Sequence, residues 1–181
     1  MYYRMGTIRL DTSRPNDDMA NVWRSCYNSL SNAMVVDDTA GILSFLDGEE
    51  KVKPGKVSCL GYCMSGQFVT TLSAYFPTRF ASAASLYGTR FITDSEDSPH
   101  KLLGQIKGEM YYAFAEIDRS VPLSMVEELR GHLDKAGTKY EIDIFPGAHH
   151  GFAFPERDIY SPLAAEQTWA KMFALWQRTL K

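Results

Sequence analysis

Three short segments of this chain hold residue types whose spacing could do chemistry. The first, Gly61-Tyr62-Cys63-Met64-Ser65-Gly66, lies between an apolar run, Val57-Ser58-Cys59-Leu60, and a helix-like repeat with Phe68, Val69, Leu72 and Tyr75 on one face. A nucleophile held on a sharp strand-to-helix turn needs small neighbours, because strand and helix crowd the strained backbone there. Gly61 stands two residues before Cys63 and Ser65 two after it, with Gly66 next, so Cys63 takes the nucleophile position. The helix that follows aims its N-terminus at the thiol, which favours thiolate and offers a backbone N–H to an oxyanion. The competing reading is a buried strand-end cysteine, a common fate of free thiols. Ser65 is a poorer nucleophile, since Cys63 and Gln67 occupy its flanking small-residue positions. Cys59 sits inside the strand with no base beside it. Its spacing from Cys63 suits neither a zinc knuckle nor a C-x-x-C redox pair.

A thiol nucleophile needs a base, and the base needs an acid to orient it. Asp118 follows an apolar run ending at Ala115, 55 residues after Cys63, and His150 comes 32 residues later in Pro146-Gly147-Ala148-His149-His150-Gly151-Phe152. Each alone has an ordinary alternative. Asp118 could cap the helix opening at Val121-Pro122. His149 and His150 compete for the base role, because adjacent side chains cannot both face one thiol. His132 falls mid-helix and reads as a solvated or core-edge residue. The order nucleophile, acid, histidine across three segments favours a Cys–His–Asp arrangement.

The elements that must position these residues follow from hydrophobic rhythm. Two helices are expected first, at about 19–31 and then from a capping signal at Asp37-Asp38 to a stop at Asp47-Gly48. Strands are expected at 57–61, 81–87, 109–115 and 140–145, the last alternating as a half-exposed strand near a sheet edge. Helices should span 66–76, 122–136 and 162–180, the final one turning Trp169, Met172, Phe173 and Trp176 inward. Strand–helix alternation with short loops implies the α/β class, a mostly parallel sheet flanked by helices in a single domain over 1–181. The chain has 181 residues, 45% hydrophobic and 23% charged, with a net charge of −3, so nucleic acid and anionic membrane are not expected partners. No apolar run is long enough for a membrane span, residues 1–6 lack a signal-peptide core, and three cysteines make no disulfide framework. A cytoplasmic protein is expected.

The Gly-Tyr-Cys-Met-Ser-Gly turn, the Asp118-x-x-Val-Pro loop and the Gly-Ala-His149-His150-Gly-Phe loop together resemble the dienelactone hydrolase family of α/β-hydrolases. The resemblance runs from the first residues to the C-terminus. It implies cleavage of small esters or lactones without metal or organic cofactor, through a thioester on Cys63. It selects His150, directly before Gly-Phe, as the base, with Asp118 orienting it and the Met64 backbone N–H holding the oxyanion. It makes Arg4 one of two arginines that hold a substrate carboxylate. The position matching the second is Phe154, with Arg157 nearby but out of place, so a hydrophobic ester or another lactone is as well suited. Tyr87 and Phe152 could line the pocket, though core packing is the simpler role for both.

The resemblance also implies an α/β-hydrolase-like domain that is N-terminally truncated. The early strands, the loop carrying a second oxyanion donor and the family's thiol-activating glutamate have no counterpart here. Val57–Gly61 would then form an unprotected sheet edge that invites self-association. The alternative function is therefore a catalytically impaired hydrolase that acts as an interaction or oligomerising module.

Overall fold

The structure is a computed structural model that describes Arg4, Gly6 and residues 17–181. Eleven short to medium elements follow in order: α1 (Asp17–Ser29), α2 (Asn32–Gly48), β1 (Val57–Tyr62), α3 (Ser65–Tyr75), β2 (Phe80–Leu86), α4 (Pro99–Leu102) with a 3₁₀ turn (Leu103–Gln105), β3 (Glu109–Ile117), α5 (Leu123–Ala136), β4 (Tyr140–His149) and α6 (Pro162–Thr179). The strands pair in the order β1-β2-β3-β4, all parallel, so their C-terminal ends share one edge of the sheet.

Alternation along β3 builds the two halves of the core. Met110, Tyr112 and Phe114 face the cluster of Val69, Phe91, Val126, Leu129 and Leu133, contributed mainly by α3 and α5. Tyr111, Ala113 and Ala115 face the opposite cluster with Phe152, Met172 and Leu175, which α6 completes. Side chains on one strand must alternate between faces, so an unbroken apolar run is what a sheet covered on both sides requires. The four expected strands and the α/β layering are present, and β4 does lie at an edge among the described residues.

Two expectations about helices need correcting. α2 begins at Asn32, well before Asp37-Asp38, because Ser31 is extended (φ −126°) and its hydroxyl accepts the Met34 N–H at 3.2 Å. In α6 the buried stripe is Ala165, Thr168, Met172 and Leu175, with Trp169 and Trp176 half-buried on its flanks. Phe173 lies off that stripe at 54% exposure, its ring edge-on to Trp176. The short α4 and its 3₁₀ turn carried no readable period.

These positions separate core from surface in a measurable way. Leu129→Ala, at a site with 0% exposure, should cost about 2–5 kcal/mol in urea unfolding, whereas Phe173→Ala should stay within about 0.5 kcal/mol.

Candidate active site

β1 ends at Tyr62 and α3 begins at Ser65, leaving Cys63 and Met64 to make the whole turn. Cys63 has φ +52°, in the left-handed region that side chains with a Cβ seldom occupy. Its N–H donates to Leu86 O at 3.0 Å, and its carbonyl accepts from Gly66 N–H at 3.0 Å and Thr89 N–H at 3.1 Å. The Ser65 hydroxyl accepts the Tyr62 N–H and donates to the Tyr62 carbonyl, both at 2.7 Å, so the serine that replaces a flanking glycine staples the turn. A Cβ on Gly61 would lie 2.5 Å from the Ser65 carbonyl oxygen, and one on Gly66 would strike the Gly88 backbone. The crowding expected of a nucleophile turn is therefore real.

The loops after β3 and β4 bring the other two groups to this point. His150 Nδ1 lies 2.6 Å from Asp118 Oδ2, and Asp118 Oδ1 accepts the Ser120 N–H at 2.8 Å. The Asp118 side chain is only 1% exposed, so it is held rather than solvated. It does not cap α5, which starts at Leu123 behind Pro122. His150 also hydrogen-bonds the Cys63 thiol, and the Met64 backbone N–H reaches the same sulfur. His149 is exposed at the end of β4, and His132 lies on α5 beside His100, their ring centroids 4.8 Å apart.

Electrostatics follow from this geometry. Burial by itself would raise the Cys63 thiol, but the hydrogen bond and charge of His150, with the Met64 N–H, outweigh it and hold the thiol below its ordinary value. Burial would likewise lower His150, yet its bonds to Asp118 and Cys63 lift it from the ordinary 6.5 to about 9. The two shifts together bias the pair toward thiolate and imidazolium. Cys59, four residues earlier, is pushed by burial up to about 12 and stays an inert thiol.

Tyr87 and Phe152, the two expected pocket residues, are instead core, 1% and 0% exposed in the cluster with Leu86 and Met172, because both sit on the face of the sheet that α6 covers. Tyr87 (φ +39°) presents its ring edge-on to His150 at 5.1 Å and to Phe152 at 5.2 Å between centroids. Its hydroxyl is buried with no hydrogen-bond partner among the described residues. Phe154 packs on Tyr62 at 5.0 Å. The Arg157 guanidinium lies against Gly151, where any Cβ would collide with it. Arg4 is engaged elsewhere, its Nε donating to Asp38 Oδ1 of α2 at 3.0 Å. On the other side of the turn, a cavity of about 330 Å³ runs past Met64 and Gln67 to Asn32 and Arg90, and the Arg90 guanidinium sits 4.3 Å from the centre of the Tyr27 ring. The larger cavity, about 550 Å³ between β4 and α6, touches none of these reactive groups. Thr89 and Arg90 carry no sequence signal for these contacts; Gly88, pressed against Gly66, is the one local hint.

A parallel sheet whose strand-to-helix turn bears a strained cysteine, with an aspartate and a histidine on later loops, has the α/β-hydrolase form. Solved structures share it. The crystal structure of a "Putative Dienelactone Hydrolase" from Klebsiella pneumoniae superposes with a TM-score of 0.83, at 22% identity, over 97% of this chain and 72% of that one. MGS-M1, an alpha/beta hydrolase enzyme from a deep-sea metagenome library, gives 0.64 at 20% identity, over 78% of this chain and 63% of that one. The model of the dienelactone hydrolase family matches residues 1–180, and the chain belongs to that family. Among relatives, a "Putative carboxymethylenebutenolidase" of Synechocystis sp. is 30% identical over 161 residues, covering 87% of this chain and 65% of its own length. A "Probable 2-oxo-3-(5-oxofuran-2-ylidene)propanoate lactonase" of Bradyrhizobium sp. is 26% identical over 168 residues, covering 90% and 67%. The chain thus spans about two thirds of the length of these two relatives. No helix among the described residues is long and apolar enough to cross a membrane.

The ion pair predicts a titration. A lowered thiol loses its proton earlier as pH rises than an ordinary thiol does, and a raised imidazole keeps its proton until about pH 9, so both shifts favour the thiolate–imidazolium pair below about pH 9. Iodoacetamide should alkylate Cys63 readily at neutral pH. In His150→Ala the pH dependence of that reaction should move up toward the ordinary 9.0. Alkylation at an unchanged pH in the variant would count against the pairing.

Proposed function

We propose that this protein hydrolyses small carboxylic esters or lactones through a Cys63–His150–Asp118 triad and a thioester intermediate. The observation that carries this reading is the strained Cys63 turn with His150 bonded at once to the thiol and to buried Asp118. The Cys63 thiolate attacks the substrate carbonyl carbon, and the Met64 N–H donates to the oxygen that gains charge. As the tetrahedral species collapses, the C–O bond breaks and His150 gives its proton to the leaving alkoxide. His150, now neutral, takes a proton from water as the water attacks the thioester. Collapse of the second tetrahedral species expels the Cys63 thiolate, which restores the ion pair and frees the acid product. Membership of the dienelactone hydrolase family supports the substrate class. The reading as an inert interaction module has no comparable support, since the reactive groups are assembled.

The pocket bears on substrate choice. Arg4 is committed to Asp38, which leaves Arg157 as a cation beside the histidine loop, near the rings of half-buried Tyr62 and exposed Phe154. An ester with an apolar body and a carboxylate at its far end would match those two rings and that cation.

Cys63→Ala should abolish turnover of p-nitrophenyl acetate, and Asp118→Asn should lower kcat by roughly 10³- to 10⁴-fold. Normal turnover by Cys63→Ala would sink the mechanism. Arg157→Ala should reduce the preference for mono-p-nitrophenyl glutarate over p-nitrophenyl butyrate by about tenfold. An unchanged ratio would remove Arg157 from substrate reading.

A further inference from the structure

The C-terminal ends of β3 and β4, which lead into Asp118 and His150, are joined by a side chain as well as by the ladder. Glu116 Oε2 accepts the Gly147 backbone N–H at 2.7 Å. Glu116 lies two residues before Asp118, and Gly147 three before His150. The register of β3 against β4 shifts between Ala115 and Ile117, so Glu116 stands at the irregularity, with Ile117 opposite His149 beyond it. An irregularity of this kind re-aims the side chains that follow it, and here those include Asp118. Gly147 has φ +69°, a conformation that side chains with a Cβ resist, and it turns its N–H toward the Glu116 carboxylate.

We propose that Glu116 is a positioning residue, whose carboxylate clamps the loop bearing His150 and so sets the angle at which the imidazole meets Asp118 and Cys63. The kinetic part of this inference rests on the hydrolase reading above. Glu116 is exposed and touches no reacting atom, so it can act only through the loop. The loop remains closed on its far side without it, by Phe152 N–H to His149 O and Ser161 N–H to Phe152 O, both 3.1 Å. Losing the clamp therefore loosens the approach of His150 without unfolding the loop. A displacement on the order of 1 Å in such a group costs up to about a hundredfold in rate.

The test compares Glu116→Ala with Glu116→Gln, whose amide oxygen can still accept the Gly147 N–H. Glu116→Ala should lower kcat for p-nitrophenyl acetate by about 10- to 100-fold with KM within about twofold, and Glu116→Gln should recover most of the loss. A looser Asp118–His150 bond lets the imidazolium release its proton earlier, so the alkaline limb of the rate profile should move to lower pH. A loss of folded protein alone would scale the profile and leave its limbs in place. Titration of the His150 ring protons by NMR reads the same downward shift without turnover, so it decides the positioning role even if the wild type proves inert toward esters. Unchanged kcat and His150 titration in Glu116→Ala, or no recovery in Glu116→Gln, would overturn the proposal.

Discussion

The left-handed backbone at Cys63 is the constraint on which the rest of the site depends. A residue with a Cβ held at φ +52° carries strain of order 1–3 kcal/mol, and it persists only where its surroundings over-determine it. Here both of its main-chain polar groups are fixed: the N–H by the end of β2, the carbonyl by the first turn of α3 and by Thr89. Close packing does the remainder. Gly61 lets the Ser65 carbonyl approach, and Gly66 lets the helix meet Gly88, so the helix axis is driven toward the thiol. That geometry aims the Met64 N–H at the sulfur, where it favours the anionic form.

The parallel sheet supplies the other two groups almost as a consequence of direction. Every strand ends at the same edge, so loops following β1, β3 and β4 converge there however far apart they lie in sequence. Convergence alone brings loops within reach of one another; it does not bring Asp118 Oδ2 to 2.6 Å from His150 Nδ1. That last adjustment falls at the register shift between Ala115 and Ile117, at Gly147 near the end of β4 and at Gly151 in the turn beyond it, both glycines with positive φ. The regular part of the fold brings the groups to one end of the sheet, and its irregular part aims them.

This division explains what could be read in the sequence. Strands and the strand-to-helix turn at Cys63 were legible because their signals are local: an apolar run, a glycine, a thiol and a helix start within a dozen residues. Asp118 and His150 were legible because each stands just past a readable strand. The beginning of α2 was misplaced because an Asp-Asp pair mimics a cap, while Ser31, which does the capping, lies only two residues past the end of α1. Phe173 was misassigned because Trp169, Met172 and Trp176 define a stripe from which it departs by a single helical position. The partner of Arg4, the contact of Arg157 with Gly151 and the stacking of Arg90 on Tyr27 join segments that no period connects. Contacts between irregular segments leave no imprint on hydrophobic rhythm.

Cys59 and Cys63 show how completely position decides chemistry. The two thiols lie four residues apart at the same strand and its end, and both are partly shielded from solvent. Cys59 stays within the ladder, where a hydrogen bond with the Ser73 hydroxyl offsets little of the cost of burying charge, and its thiol rises to about 12. Cys63 leaves the ladder, meets an N–H and an imidazole already held by a buried carboxylate, and falls below its ordinary value despite its own burial. Burial opposes ionisation in both, so the difference lies in directed donors. Those donors reach Cys63 only because the chain bends there against its own conformational preference, which ties the reactivity of the thiol to the strain of the turn.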